Sequence, residues 1–501
     1  MSKKKKTIEE LLEEALVSEE GPSVEASTNW VFTKLGNVVN SVKGKKPKEL
    51  LGNKGEGTIP YVTISYLTKG VTEETQYVPE QISKVKCNKD DVLMVWDGAR
   101  SGLVGKGVEG EIGSTLVRLD SKRIDKDYLY YFLLSKYDYI NSNHRGTGIP
   151  HVNPEVLWNI TFPLPPLNEQ KRIAGKVERL LGKIEEVEKK IKDLPNLLDR
   201  LRKSLLEAAF LGELSEAWRI STENIESVTK LIERVNKDRE QKILKEKKMA
   251  KIEGRSPRRI KSGKVMEEDV NLPNIPDTWV WDIFQNVADI QGGVTKGKKY
   301  GNKSKVSVPY LRVANVQEGY LYFDEVKEIA VSQEEVNKYQ LAIGDLLITE
   351  GGDRDKLGRC AIWNNEIPGC IHQNHIYRAR LYAGLKPEYI SYMLRTRFAK
   401  TYFFDNASQS VNLASINMTV LGNLPIPIPP EEEQEKIVEV INYYFNIFGK
   451  VEEEYYQVKE KLDTLKQSIL SKAFQGELGT DDPSDENAIE LLKEVLQEQV
   501  K

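Results

Sequence analysis

Pro163-Leu164-Pro165-Pro166-Leu167-Asn168-Glu169-Gln170-Lys171-Arg172-Ile173 returns later in the chain as Pro427-Ile428-Pro429-Pro430-Glu431-Glu432-Glu433-Gln434-Glu435-Lys436-Ile437, with Gln170 answered by Gln434 264 positions on. Ala209-Phe210-Leu211-Gly212-Glu213-Leu214 returns at the same distance as Ala473-Phe474-Gln475-Gly476-Glu477-Leu478. The 42-residue separation of Gln170 from Gly212 is therefore copied without insertion. Upstream, Trp30-Val31-Phe32 answers Trp279-Val280-Trp281, Ile59-Pro60-Tyr61 answers Val308-Pro309-Tyr310, and Asp90-Asp91-Val92-Leu93-Met94 answers Gly344-Asp345-Leu346-Leu347-Ile348. The spacing drifts among these pairs, so each repeat joins a part of variable length to one of fixed length.

The fixed parts read as helices. Ile173, Val177, Leu180, Ile184, Val187, Ile191, Leu194, Leu198, Leu201, Leu205 and Ala208 keep a 4-3 spacing. Ile437, Ile441, Tyr444, Phe448, Val451, Tyr455, Val458, Leu462, Leu465 and Ile469 repeat it, failing only at Lys472. A sustained period of about 3.5 residues turns one apolar stripe toward a partner helix. The two stripes match in length, about 63 Å each at ~1.5 Å per residue, and packing on each other is the simplest way to bury both. An antiparallel pair would set the two preceding domains at opposite ends, a pseudo-dyad within one chain. Pro165-Pro166 and Pro429-Pro430 hand the chain to each helix, Gly212 and Gly476 suit the C-terminal side, and Pro195 predicts a kink.

The variable parts, about 24–166 and 272–430, alternate short β-rich runs (Tyr61 to Ile64, Val92 to Trp96, Tyr310 to Val313, Leu346 to Thr349) with Gly-rich loops and helical patterns at Tyr128 to Leu134 and Pro387 to Arg395. An α+β domain with a strongly bent sheet fits each. The segmentation expected is an N-terminal helix or extension 1–23, first domain 24–166, first spacer helix 167–214, an amphipathic helix plus basic linker 215–271, second domain 272–430, second spacer helix 431–478, and an acidic tail with a short helix 479–501. Lys237 to Lys264 reads as a solvated basic connector near phosphate, with twelve Lys/Arg against four Asp/Glu. Three short amphipathic runs (Ile8 to Leu16, Ile225 to Val235, Ile489 to Leu496) suit either docking on a partner protein or packing within the chain.

Composition bounds the function. A chain of 501 residues is expected to hold about two to four domains. Net charge is −3, so positive charge for a DNA partner must be local. Three cysteines, Cys87, Cys360 and Cys370, form no C-x-x-C pair and fit a reducing, cytoplasmic setting. Neither a signal peptide nor 18 consecutive apolar residues is present, so no membrane is expected. No G-x-x-x-x-G-K-[ST] loop and no N-P-P-[YF] base-pocket motif occurs, which disfavours a motor or a methyltransferase of its own. At this point a two-headed binding protein, a protein scaffold and a hydrolase with an unrecognised metal site all remain open.

The duplicated P-x-P-P-x-x-E-Q, the long heptad helix and the closing A-F-x-G-E-L resemble the specificity subunit of type I restriction–modification systems. The resemblance runs from about Trp30 to Leu478 and includes Ile275-Pro276-Asp277-Thr278-Trp279, Thr349 to Arg359 and Ile371-His372-Gln373-Asn374-His375. The first half departs from it, showing Trp96-Asp97-Gly98-Ala99-Arg100-Ser101-Gly102 where the second has Thr349 to Arg359. The resemblance implies two target-recognition domains, each reading half of a split site in double-stranded DNA. It further implies paired helices that set the spacer and hold two adenine methyltransferase (M) subunits, with cleavage and translocation on restriction (R) subunits. No catalytic residue and no cofactor is expected here; S-adenosylmethionine, ATP and Mg would reside on the partners.

Base readers must be long polar side chains on loops, since these reach the donors and acceptors of the major groove. The candidates are Lys45, Lys46, Arg100, Arg145 and His151 in the first half, and Lys296, Lys298, Arg354, Lys356, Arg359, Gln373 and Gln409 in the second. Arg suits guanine and Gln adenine, while Lys mostly meets phosphate. The loops Lys43 to Lys48 and Gly292 to Lys299 occupy matching places. Cys360, Cys370, His372 and His375 could be written as zinc ligands, but their spacing lacks a C-x-x-C knuckle and no metal is expected.

Overall fold

The computed structural model describes residues 6–17, 29–121, 123–146, 148–264, 272–297, 304–352, 356–409 and 414–500. The chain divides into two compact units, Met1–Lys192 with Tyr455–Lys501, and Asp193–Glu454.

The first unit is built on an antiparallel sheet with strand order Asn40–Lys43, Leu116–Asp120, Val92–Val95, Val104–Lys106. The second unit repeats that order with Ala288–Gly292, Ile376–Leu381, Leu346–Thr349, Cys360–Ile362. Every residue of Val92–Val95 and of Leu346–Thr349 is buried, because both faces of these strands are covered and their apolar runs need no alternation. Beside each main sheet lies a second one containing a parallel pair, Val62 opposite Ile112 in the first unit and Leu311 opposite His372 in the second. An antiparallel ribbon brings each domain's ends together, Val31 opposite Leu164 and Val280 opposite Ile428. The expected strand at Tyr61 to Ile64 stops at Val62, because the Thr63 side chain accepts from Tyr66 N and caps the helix Ile64–Lys69.

The repeated Glu-Gln has a concrete structural job. Gln170 Oε1 accepts from Asp125 N at 2.9 Å while Gln170 Nε2 donates to Pro165 O at 2.9 Å. Gln434 does the same with Lys386 N at 3.0 Å and Pro429 O at 3.1 Å. Each glutamine thus satisfies a carbonyl of the Pro-Pro turn and the N–H of the residue that caps a neighbouring helix, Lys126–Ser135 in one unit and Pro387–Leu394 in the other. The glutamates accept from indoles, Trp30 Nε1 to Glu169 Oε2 at 2.8 Å and Trp279 Nε1 to Glu433 Oε2 at 2.9 Å. Burial raises the Glu169 carboxyl above its usual value, against the hydrogen bond from Trp30. Two fully buried tyrosines, Tyr128 and Tyr389, donate to Pro163 O and Pro427 O at 2.9 and 2.8 Å.

Each helix end packs on the domain of the other repeat. Phe474 meets Tyr128 and Phe132 with ring centroids 5.3 Å apart, whereas Phe210 meets Trp281 at 5.7 Å and Phe398 at 4.9 Å. The helices run antiparallel. Lys466 Nζ pairs with Glu188 at 2.6 Å in the first unit, and Arg202 Nη2 with Glu452 at 2.6 Å in the second. Gly212 and Gly476 end the helices with φ of +75° and +77°, a left-handed conformation that suits glycine.

Four expectations need correction or refinement. Pro195 does more than kink the first helix; the chain forms two helices, Leu167–Ile191 and Leu194–Phe210, because the proline opens the second and supplies no donor to the turn before it. Lys237 to Lys264 is not a free connector. Val228–Ile252 is one helix, and the chain beyond it is tied down by Arg258 Nη2 on Asp289 at 2.6 Å and by Gly263 exchanging hydrogen bonds with Asn286 at 3.1 and 3.0 Å. The three amphipathic runs pack within the chain, with Ala15, Val228, Leu231, Val235, Leu492 and Val495 all buried. Burial of the long stripes is incomplete: Ile173, Ile184, Leu198 and Ile441 are buried, but Val187, Leu201, Tyr444 and Leu465 stay exposed.

Candidate nucleic-acid interface

In the first unit three loops converge at one end of the main sheet. The loop after Val95 carries Asp97 and Arg100, and Asn141 Nδ2 donates to Ser101 O at 2.8 Å to fix its shape. A tight hairpin brings Arg145 and His151 opposite each other with reciprocal backbone bonds of 2.9 Å, and Asp97 bridges to His151 beside it. Lys43, at the end of its strand, donates to Asp97 Oδ2 at 2.9 Å, and His151 Nδ1 lies 2.7 Å from Asp97 Oδ1. Burial alone would raise the Asp97 carboxyl, but the hydrogen bonds from Lys43 and His151 outweigh it and hold the pKa below its usual value. Lys45, Lys46, Arg100 and Arg145 are exposed and His151 is half-buried.

The second unit repeats this backbone with other side chains. Ser408–Gln409 and Ala414–Ser415 form the hairpin that carries Arg145 and His151 in the first unit, and Gly351–Gly352 pairs with it where Asp97 bridges in the first. By this pairing His151 corresponds to Ser415 and Arg145 to Ser408, with Gln409 one residue further into the hairpin. Lys296 is exposed on the loop after Gly292. That loop is pinned by Val294 N on His372 O at 2.8 Å and Asn374 N on Val294 O at 3.0 Å, with Val294 bridging to Gln373. Arg359 Nη1 donates to Gln317 Oε1 at 2.8 Å, and Lys356 O accepts from Thr349 Oγ1 at 2.9 Å, so both are half-buried and partly committed to holding the loop. Lys298 and Arg354 lie outside the described residues, and of Gln409 only the backbone is described.

Gly44 and Gly293 explain why the two lysine loops match. A Cβ would lie 2.2 Å from Gly113 O at Gly44 and 2.0 Å from His372 O at Gly293, so only glycine lets the loops pass so close to the neighbouring backbone.

Residues outside the candidate set also enter the site: Lys43 and Asp97 in the first unit, and Glu350, Asn374 and His375 in the second. His375 Nδ1 hydrogen-bonds Glu350 Oε2, and Asn374 Nδ2 lies 3.4 Å from His375 Nε2. Glu350 and His375 are 25 residues apart, so no local pattern reveals the pair. The four potential zinc ligands do not converge. Cys360 and Cys370 lie in separate cores, with burial pushing both thiols up to about 12. His372 is buried, which with the neighbouring Arg378 pushes its imidazole down to about 4, while His375 is exposed. Among the described residues no three His, Cys, Asp or Glu side chains are grouped to hold a metal ion, and no helix is long and apolar enough to cross a membrane.

Residues 27–196 and 276–460 match the model of the type I restriction modification DNA specificity domain. The chain is 26% identical over 462 residues to the MjaVIII type I restriction enzyme specificity subunit of Methanocaldococcus jannaschii, covering 90% of this chain and 93% of that one. It is 23% identical over 471 residues to the EcoKI specificity subunit of Escherichia coli, covering 90% and 89%. Its fold is similar to a chain of a solved type I R-M system, with TM-score 0.56, 20% identity, and coverage of 91% of this chain and 100% of the other. It is also similar to the HsdS subunit from Thermoanaerobacter tengcongensis, with TM-score 0.51, 19% identity, and coverage of 92% and 100%. Two matches to one domain model, one in each copy of a single scaffold, lead to one conclusion: the chain belongs to the type I restriction modification DNA specificity family, a non-catalytic DNA-recognition subunit with two copies of the domain.

Proposed function

We propose that the two domains read the two halves of one bipartite DNA site, and that the antiparallel helices set the unread gap between them. The observation that carries this reading is the pairing of a shared backbone with different loop side chains, Arg145 and His151 in one half against Ser408 and Ser415 in the other. A scaffold duplicated for DNA reading needs that pattern, because position on the duplex comes from common geometry and sequence preference from side chains at base edges. The half-exposed aromatic and aliphatic side chains on the long helices, Tyr443, Tyr444 and Tyr456 among them, suit docking of two adenine methyltransferase subunits. Restriction subunits would complete the assembly, with S-adenosylmethionine, ATP and Mg bound by the partners.

The test is co-expression with a methyltransferase subunit of the same system in a methylation-free host, followed by mapping of N6-methyladenine across the genome. The expected result is a two-part motif with a constant gap, of which exchange of residues 272–430 alters one half alone. A stable complex that leaves the genome unmethylated and shows no salt-dependent DNA binding overturns the reading in favour of a protein scaffold.

A further inference from the structure

Each half presents a histidine whose Nδ1 is committed to a carboxylate. In the first it is His151 on Asp97, at 2.7 Å; in the second it is His375 on Glu350. The two pairs are not copies. The first-half equivalents of Glu350 and His375 are Trp96 and Thr115, since Trp96 N donates to Thr115 O at 2.8 Å just as Glu350 N donates to His375 O at 3.0 Å. The second-half equivalents of Asp97 and His151 are Gly351 and Ser415. The same arrangement thus occurs twice at neighbouring but different positions, and duplication alone does not account for it.

Stability does not account for it either. The His375 side chain is 54% exposed and that of His151 is 40% exposed, and an exposed ion pair or charge-assisted bond contributes little to folding. What the carboxylate does accomplish is chemical. It accepts a hydrogen bond from Nδ1–H, fixes the ring plane and, in the neutral ring, places the lone pair on Nε2. Asn374 Nδ2, a donor, approaches His375 Nε2 at 3.4 Å, which agrees with an accepting Nε2. In the major groove an acceptor of this kind is matched by an exocyclic amino group, adenine N6 or cytosine N4.

We propose that His151 and His375 are specificity-determining residues, each reading one base amino group through Nε2, with Asp97 and Glu350 as the positioning residues that set the tautomer. The proposal rests on the bipartite reading above and deepens it.

The experiment uses the chain in complex with its methyltransferase subunit and duplexes carrying the mapped motif. At each adenine or cytosine of that motif in turn, the amino group is removed by substituting purine or 2-pyrimidinone, and affinity is measured by competition. For the wild-type complex one such removal in the second half should weaken binding about tenfold to a hundredfold. His375→Ala should weaken the intact site by a similar factor and abolish the further loss at that position alone. His151→Ala should do the same at one position in the first half. Glu350→Gln, which keeps the size of the side chain but can turn a donor toward Nδ1, should relax selectivity at the His375 position only, an effect that a purely structural role would not confine to one base. If no amino-group removal is masked by either alanine variant, the histidines are not readers. If the wild-type complex binds no duplex at all, the bipartite reading fails first and takes this inference with it.

Discussion

The helix starts and the reading loops of this chain make opposite use of duplication. At the helix starts both copies keep the same side chains and the same bonds: glutamine on two backbone groups, glutamate on an indole, tyrosine on a proline carbonyl. At the loops the backbone bonds are kept and the side chains are exchanged, Arg145 for Ser408 and Trp96 for Glu350. Buried polar groups must all be satisfied together, so a helix-start network tolerates few changes. Exposed loop side chains held on a fixed backbone carry no such constraint and can be varied for recognition.

The comparison can be broken most forcefully at the glutamates. Glu433 is fully buried and accepts from Trp279 Nε1, Ser215 Oγ and Arg219 Nε at 2.9, 2.7 and 2.8 Å. Glu169 has Trp30 at 2.8 Å and only a weak 3.4 Å bond from Thr480, while Arg172 turns to Asp485. Glu433→Ala leaves a largely buried guanidinium without its partner and should cost about 3–5 kcal/mol in denaturant unfolding. Glu169→Ala should cost about 1–3 kcal/mol. Equal losses would mean that the two helix starts are held by something other than these networks.

A second test uses positions where the halves bury different groups. The parallel pair of the second sheet puts Ile112 in the first unit where His372 stands in the second. His372 titrates near 6.5 when unfolded and at about 4 when folded, through burial and the Arg378 charge. Between those values the unfolded chain binds more protons, so stability falls as pH drops from about 6.5 toward 4, by about 3 kcal/mol in all. His372→Ile, which installs the first unit's residue, should flatten the pH dependence of urea unfolding over that window and leave it unchanged above pH 7. The glycines should behave alike. Gly44→Ala and Gly293→Ala each force a Cβ into a carbonyl and should each cost about 1–3 kcal/mol, a symmetry that thermal unfolding would test.

What could be read from sequence follows the same division. The helix starts are legible because their residues are contiguous and repeated, so Pro163 to Ile173 and its copy disclose fold and topology together. The side chains that receive each helix end are not legible, since Phe210 and Phe474 sit in closely similar local sequence and only three-dimensional packing shows that one meets Trp281 and Phe398 and the other Tyr128 and Phe132. At the loops, charge and place single out Lys45, Arg145 and His151, whereas Asp97 and Glu350 read as ordinary surface acids. Their role depends on a histidine brought close by the hairpin or the neighbouring strand. The sequence does carry one further signal for the hairpins. The 264-residue spacing already holds at Asn153 and Asn417, both of which cap helices, and extending it upstream aligns His151 with Ser415 and brings Arg145 within one residue of its counterpart Ser408.

The smallest expected effect separates phosphate anchors from base readers. Lys45 and Lys46 stand exposed on a loop that has four lysines between positions 43 and 48, whereas the matching loop presents Lys296 as its one described lysine. If these side chains meet phosphate, removing one of them means one fewer counterion released on binding, and the slope of log K against log salt concentration should shrink by about 0.9 per lysine. Lys45→Ala with Lys46→Ala should therefore lower the slope by about 2 and Lys296→Ala by about 1, with folding stability moved by less than about 0.5 kcal/mol. The methylated motif should not change in either case, because a point charge on phosphate carries no base information. A changed motif with an unchanged slope would turn these lysines from anchors into readers, and the division between constant geometry and variable side chains would then have to be redrawn to include the loop that follows Gly44.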